Sequence, residues 1–295
     1  MLHEVDRSTF IGPSVAIVGA GNLGSGLALR LHAAGYRITE ILSRDRNSSR
    51  QKARVLARKV GAKAGRVEDG RFSATVVWLC VPDREIVASA QWLAEANWSR
   101  KIALHSSGAL TSDDLALLRK QGARVASVHP MMTFVAGVTP SLRGVGFALE
   151  GDREAVQVAS RIVAALGGEA FLISKKNKAL YHAWGTFLSP LYTCLLALSE
   201  DVALAAGVPR PKVRRWAIPI VRQTFENYVA QGSAKGFSGP IVRGDIDTVK
   251  RHLQALESTS AARRVYAALA RAAIEYLPTK NKAGLQRVIE RALRG

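Results

Sequence analysis

Val15-Ala16-Ile17-Val18-Gly19-Ala20-Gly21-Asn22-Leu23-Gly24 decides the fold of this chain. A short apolar run leads straight into a G-x-G-x-x-G loop, and a helical pattern continues from Leu23 to about His32. Each glycine meets a separate demand. Gly19 permits the tight turn out of a strand, Gly21 lets bare backbone approach a pyrophosphate, and Gly24 lets the new helix pack closely on the strand. The first turn of that helix offers free N–H groups and a positive dipole end to phosphate. The motif alone is weak evidence, but here the strand before it, the helix after it and the next strand at the expected distance all accompany it. The reading is a dinucleotide site formed by Gly19, Gly21, Asn22, Leu23 and Gly24; a glycine turn without a ligand is the plainer alternative.

The next strand, Arg37–Leu42, ends in Ser43-Arg44-Asp45-Arg46. A site for NAD places an acidic residue at that end to hold the ribose 2′-hydroxyl, and Glu40 lies too early, inside the strand. A serine hydroxyl and two guanidinium forks suit a 2′-phosphate, because arginine binds phosphate bidentately and keeps its charge. Ser43, Arg44 and Arg46 therefore predict NADP (NADPH) as cofactor. The competing reading makes both arginines solvated loop charges.

At 295 residues, 48% hydrophobic and 6% aromatic, the chain has enough sequence for one large or two ordinary domains. Residues 1–12 carry neither a basic n-region nor an apolar h-region, so no signal peptide is expected. The most apolar run, Phe187–Leu198, contains Ser189 and Pro190 and meets Glu200-Asp201; it reads as a buried helix too short to span a bilayer. Two cysteines, Cys80 and Cys194, support neither a disulfide framework nor a zinc site and fit a reducing cytoplasm. The net charge of +19 is spread over both halves, without the interleaved aromatics of a single-strand binder. It reads as attraction for an anionic cofactor and substrate rather than for nucleic acid, and no membrane partner is expected.

Up to about residue 150, short β-branched runs alternate with helical segments, the pattern of a doubly wound parallel sheet. The runs are 15–18, 38–42, 63–67, 75–81, 101–105, 123–128 and 146–150, with 171–174 closing the sheet. From Lys175 onward only helical patterns follow, over 177–206, 211–230, 245–256, 258–276 and 282–293. Gly207, Pro209 and the stretch Gly232–Pro240 punctuate them. The expected organisation is an α/β Rossmann domain over 1–174 and an all-α domain over 175–295.

Ligands in open α/β sheets lie beyond the carboxyl ends of the strands, and unusual loops recur there. They include Cys80-Val81-Pro82-Asp83, His105-Ser106-Ser107-Gly108 and His129-Pro130-Met131-Met132. Val81-Pro82-Asp83, His105 to Leu110, Ser127 to Met131 with Phe134, and Ser238-Gly239-Pro240-Ile241-Val242-Arg243-Gly244-Asp245 together resemble one family. It is a poorly characterised bacterial family that joins a Rossmann-like domain to a C-terminal helical domain of unknown function. The resemblance runs from about Val15 to Tyr276. The family is distantly similar to pyrroline-5-carboxylate reductase, the β-hydroxyacid dehydrogenases, ketopantoate reductase and prephenate dehydrogenase. It implies a helical domain like the C-terminal domain of 6-phosphogluconate dehydrogenase, which shapes the substrate cleft and forms a homodimer interface. It also implies an NADP-linked oxidoreductase and names no substrate.

Hydride transfer to or from a C–O or C=N bond needs a positioned substrate and a group that manages the heteroatom's proton. His129 is the first candidate, since histidine titrates near neutrality and this one ends a strand on the ligand rim. Prephenate dehydrogenases have a similar His-Pro-Met; a turn-shaping histidine is the alternative. Lys178, His182, Thr186 and Ser189 fall along one helix face, offering Lys178 and His182 as further catalytic candidates. The β-hydroxyacid dehydrogenases carry a catalytic Lys with Asn four residues later, and His182 stands here in place of that Asn. Cys80, Val81, Pro82 and Ser106 are read as cofactor contacts, and Ser107, Gly108, Ser189 and Arg243 as contacts to a small, carboxylate-bearing substrate. Asp245 is a natural helix cap beside Arg243. No metal constellation is present. A binding protein that senses NADP(H) without turnover is the alternative to an enzyme.

Overall fold

The computed structural model describes residues 12–294; the reading of a leaderless start falls almost wholly outside them. One eight-stranded sheet organises the first part of the chain, in the order β3-β2-β1-β4-β5-β6-β7-β8. Strands β1 (Val15–Val18), β2 (Ile38–Ser43), β3 (Lys63–Arg66), β4 (Val76–Leu79), β5 (Ile102–His105) and β6 (Arg124–Pro130) are all parallel. Strand β7 (Gly146–Gly151) pairs antiparallel with β6, and β8 (Glu169–Leu172) runs parallel to β7. Strand order reverses between β1 and β4, which opens a crevice beyond their carboxyl ends.

Every residue of β1, β4 and β5 is buried, which is why these strands read as continuous apolar runs. The two-residue period sends Val15 and Ile17 into a core with Leu27, Leu31, Trp78 and Phe147. Ala16 and Val18 face the opposite core, with Leu79, Ile86, Leu93 and Trp98. Helices α1 (Asn22–Ala33), α2 (Asn47–Val60), α3 (Asp83–Leu93), α4 (Ala116–Lys120) and α5 (Arg153–Ala165) cover the sheet. Strand β8 begins two residues earlier than the sequence suggests, because its register, Gly146 opposite Glu169, is set by β7.

The chain divides into two compact units that meet in sequence between Thr186 and Phe187. The first therefore extends past residue 174 and includes α6 (Lys178–Thr186), whose Lys178 and Tyr181 are buried. The second unit holds α7 (Tyr192–Ala205), α8 (Arg210–Gly236), α9 (Pro240–Arg243), α10 (Ile246–Ala255), α11 (Ser260–Tyr276) and α12 (Lys282–Arg294). Its own core joins Val249 and Leu253 of α10, Ala267, Ala270 and Ile274 of α11, and Leu285 and Ile289 of α12. Gly232, at φ 72°, breaks the regular run of α8. Pro190, which lacks an N–H, falls in a π turn over Phe187–Leu191.

One expectation is corrected in the second unit. The run Phe187–Leu198 is not a buried helix: no residue of α7 is buried, and Phe187 is 69% exposed. The segment Lys175–Ala205 is also long and apolar enough, by length and composition, to cross a membrane. A periodic apolar pattern reports that a face is greasy, not what covers it.

Candidate active site

The glycine loop leaves β1 as its spacing predicts. Gly19 has φ +103°, and a Cβ there would stand 2.6 Å from the Cys80 carbonyl oxygen. A Cβ on Gly24 would collide with the carbonyl of Gly19, whereas one on Gly21 would meet nothing. Strand–helix contact is thus closed at Gly24 and the approach to the α1 N-terminus is open at Gly21.

Between the ends of β1, β2 and β4 lies a cleft of about 170 Å³, reached by Gly19, Gly21, Ser43, Arg44, Cys80 and Pro82. Two serine hydroxyls on its wall, Ser43 Oγ and Ser89 Oγ, have no hydrogen-bond partner although their residues are 4% and 0% exposed. An unpartnered buried hydroxyl costs roughly 1–3 kcal/mol, so both are poised for the polar edge of a bound molecule. Val81 also lines the cleft, and the Cys80 thiol is pushed up to about 12 by burial, which keeps it uncharged.

No free carboxylate marks the end of β2. Asp45 accepts from Arg50 at 3.1 Å and from Arg66 at 3.0 Å, and its own N–H donates to Glu68 Oε1. Glu40 is occupied further back, accepting from the Ser73 N–H and hydroxyl and from Thr39. Arg44 lines the cleft, with its guanidinium 2.7 Å from Glu85. Arg46 does not line it: the residue precedes α2 and its side chain is exposed. The second cation on the cleft is Lys52, one turn into α2, together with Ser49. Sequence reading missed Lys52 and Ser89 because each lies on a helix whose facing toward the cleft is fixed only by packing.

A second polar cluster occupies the ends of β5 and β6 and the start of α6. His129 is half-buried, and its Nδ1 lies 2.9 Å from the Tyr181 hydroxyl. The rings of His129 and His182 meet edge-on at 5.7 Å between centroids. Gly108 fills the angle between them: a Cβ there would lie 2.5 Å from His182 and 2.8 Å from His129 Nε2. Burial above all, then the charges of His182, Lys178 and His105, pushes His129 down to about 4. The imidazole is therefore uncharged near neutrality.

Lys178 lies beneath this cluster and is fully buried. Its amine donates to the Ser127 hydroxyl at 2.5 Å and to the Ser107 carbonyl at 3.1 Å, and stands 3.8 Å from Glu150. Burial draws its pKa below the ordinary lysine value, while Glu150 acts in the opposite sense. Glu150 in turn accepts from the Ser112 N–H and hydroxyl. Through these two hydrogen bonds and the neighbouring carboxylate, Lys178 ties the β5 and β6 loops together. The serines of the β5 loop are likewise engaged. Ser106 Oγ accepts from the Trp78 indole at 2.8 Å, and Ser107 Oγ accepts from the Ala109 and Leu110 N–H groups. His105 is sealed, its Nδ1 accepting from the Ser107 N–H and its Nε2 donating to the Thr111 carbonyl.

Asn22 donates to the Phe134 carbonyl, and Leu23 packs against the core of the sheet. Ser189 and Arg243 belong to the second unit: Ser189 in the π turn, Arg243 exposed at the end of α9. Asp245 caps α10 by accepting from the Thr248 N–H at 3.0 Å, as its position predicts. Among the described residues no group of histidines, cysteines and carboxylates is arranged to hold a metal ion.

Comparison with known proteins agrees with this architecture. Residues 7–130 match a Rossmann-like domain, and residues 145–273 match a domain of unknown function, DUF2520. No curated protein is a sequence match. Among solved structures the fold is similar to that of BF3122 from Bacteroides fragilis, named provisionally as an NADP oxidoreductase. Its TM-score is 0.75 at 21% identity, over 88% of this chain and 97% of that one. Protein TM1727 from Thermotoga maritima gives 0.68 at 24% identity, over 94% and 98%. An imine reductase from Myxococcus stipitatus in complex with NADP+ gives 0.63 at 17% identity, over 95% and 100%. The chain joins a Rossmann-like domain to a DUF2520 domain, the two-domain family that its rim loops resemble.

Proposed function

We propose that the chain is an NADP(H)-dependent oxidoreductase acting on a small, carboxylate-bearing substrate through a C–O or C=N bond. The observation that carries this reading is the pair of orphaned hydroxyls, Ser43 and Ser89, in a cleft bordered by Arg44 and Lys52. A 2′-phosphate would accept from a serine and pair with Lys52, with Arg44 turning to it from Glu85. Asp45 and Glu40, being committed elsewhere, leave a plain ribose diol without its acidic partner. Similarity of fold to an imine reductase in complex with NADP+ supports the same choice. When bound, the nicotinamide supplies or accepts the hydride. The chain's own part is to hold the dinucleotide at Gly21 and the α1 N-terminus and to handle the substrate's proton at His129. The net charge of +19 favours anionic substrates in general.

A homodimer belongs to the same proposal. The π turn Phe187–Leu191 and helix α8 expose large apolar side chains, among them Leu188, Leu191, Ile220, Phe225 and Val229. A second copy of the chain is the occupant that suits so extended an apolar face.

The deciding experiment is a comparison of NADPH and NADH binding by fluorescence titration. Wild type should prefer NADPH by at least tenfold, and the Arg44→Ala, Lys52→Ala double variant should lose that preference while keeping its affinity for NADH. Equal loss for both cofactors would overturn the 2′-phosphate assignment.

A further inference from the structure

We infer that Tyr181 is a positioning residue that sets the tautomer of His129, leaving Nε2 bare on the side that faces Gly108 and His182. The inference rests on the oxidoreductase reading above and sharpens it by naming which partner brings the proton.

The Tyr181 hydroxyl has one hydrogen and two candidate acceptors for it, while its oxygen also receives the Ala148 N–H. One is His129 Nδ1 at 2.9 Å, and the other is the His129 carbonyl oxygen at 3.3 Å, which can only accept. If the hydroxyl gave its hydrogen to Nδ1, the carbonyl contact would go unmade. If it gives the hydrogen to the carbonyl, Nδ1–H donates to the phenol oxygen and both bonds form. The second arrangement gains one hydrogen bond, worth about 1 kcal/mol, or roughly fivefold in tautomer population. The frame is held still. His129 lies opposite Ala148 in the β6–β7 ladder, and the Tyr181 ring makes edge contacts with His129, Phe171 and Trp184.

The groups that face the imidazole keep it neutral. His105 lies on β5, Lys178, Tyr181 and His182 lie on α6, and Glu150 on β7 is engaged with Lys178. A neutral ring with a bare Nε2 accepts a proton but has none to give there. The substrate that suits it carries a hydroxyl or N–H on the reacting carbon. A bound nicotinamide would take the hydride given up by the substrate's C–H bond. The chain's own part would be the proton: the substrate's O–H (or N–H) bond would break, the proton would pass to Nε2, and the pair left on the heteroatom would close the double bond. A small hydroxy acid, within the substrate class proposed above, fits this description.

The test is a long-range ¹H–¹⁵N spectrum of the whole protein labelled at histidine, at pH 7, with His129→Gln to assign the signals. The expected result is a proton on Nδ1 and a pyridine-type Nε2 in wild type, with the Nε2–H form growing severalfold in Tyr181→Phe. A wild-type ring protonated at Nε2, or a Tyr181→Phe spectrum unchanged from wild type, overturns the inference. A second measurement uses NADP+ with a panel of small 2- and 3-hydroxy acids, and NADPH with the matching keto acids, at pH 8. NADP+-linked oxidation of a hydroxy acid should be measurable, and Tyr181→Phe should lower its kcat with KM kept. No oxidation of any hydroxy acid overturns the substrate class. NADPH titration of the same samples separates the two proposals: a protein that fails to bind NADPH sinks the oxidoreductase reading while the tautomer result stands by itself.

Discussion

His105 and His129 stand at the ends of neighbouring strands, β5 and β6, yet only one of them is open to chemistry. Both nitrogens of His105 are spent on the backbone of its own loop, and burial pushes it down to about 4 from an ordinary 6.5. Within that window the unfolded chain binds the proton more readily than the fold does. Stability present at pH 7 is therefore lost as the pH falls from 6.5 toward 4. The shift corresponds to roughly 3 kcal/mol. Urea melts at pH 7 and pH 4.5 should show a larger acid loss for wild type than for His105→Asn, and equal losses would refute the assignment. Gly108 supplies a second expectation at this scale. Gly108→Ala places a methyl against both His129 and His182, so turnover should fall by at least tenfold with the melting temperature little changed. Unaltered turnover would remove those two rings from the site. Buried Lys178 gives the opposite pattern: Lys178→Met strands Glu150, and should cost about 3–5 kcal/mol in chemical denaturation.

At the scale of elements, the loop after β1 was legible because its demands are local. A turn, a close approach and a helix start each require glycine at a stated spacing, and Gly19, Gly21 and Gly24 meet them. The end of β2 was half legible. Ser43 and Arg44 reach the cleft because the strand carries them there, whereas Arg46 points away once α2 begins. Lys52 takes its place through the pitch of that helix, which no spacing rule at the strand end could register. Lys178 shows another limit: spacing places it on α6 with His182, but its burial and its bond to the Ser107 carbonyl follow from packing, which the spacing does not encode. Removing Lys52 alone by Lys52→Ala should weaken NADPH several-fold in calorimetry and leave NADH unmoved, while Arg46→Ala should affect neither.

For the whole molecule, the second unit has a compact core in α10, α11 and α12, whereas α7 contributes no buried residue. The sequence announced these apolar runs as interior, because hydropathy cannot tell a side chain packed inside one chain from one waiting for another. Sedimentation at micromolar concentration should give twice the mass of the chain. Glutamate at both Phe225 and Val229 should return the protein to a monomer with its helicity intact. A monomeric wild type would refute the homodimer.

Trp78 is wholly enclosed, and its indole donates to Ser106 within a residue or two of Cys80 and the mouth of β4. Its light emission should accordingly register whatever settles in the crevice above, by quenching and by energy transfer to a reduced nicotinamide. The fold thus carries its own optical gauge of occupancy, readable without a dye or a label, and Trp78→Phe should shrink its response to what the four other tryptophans give.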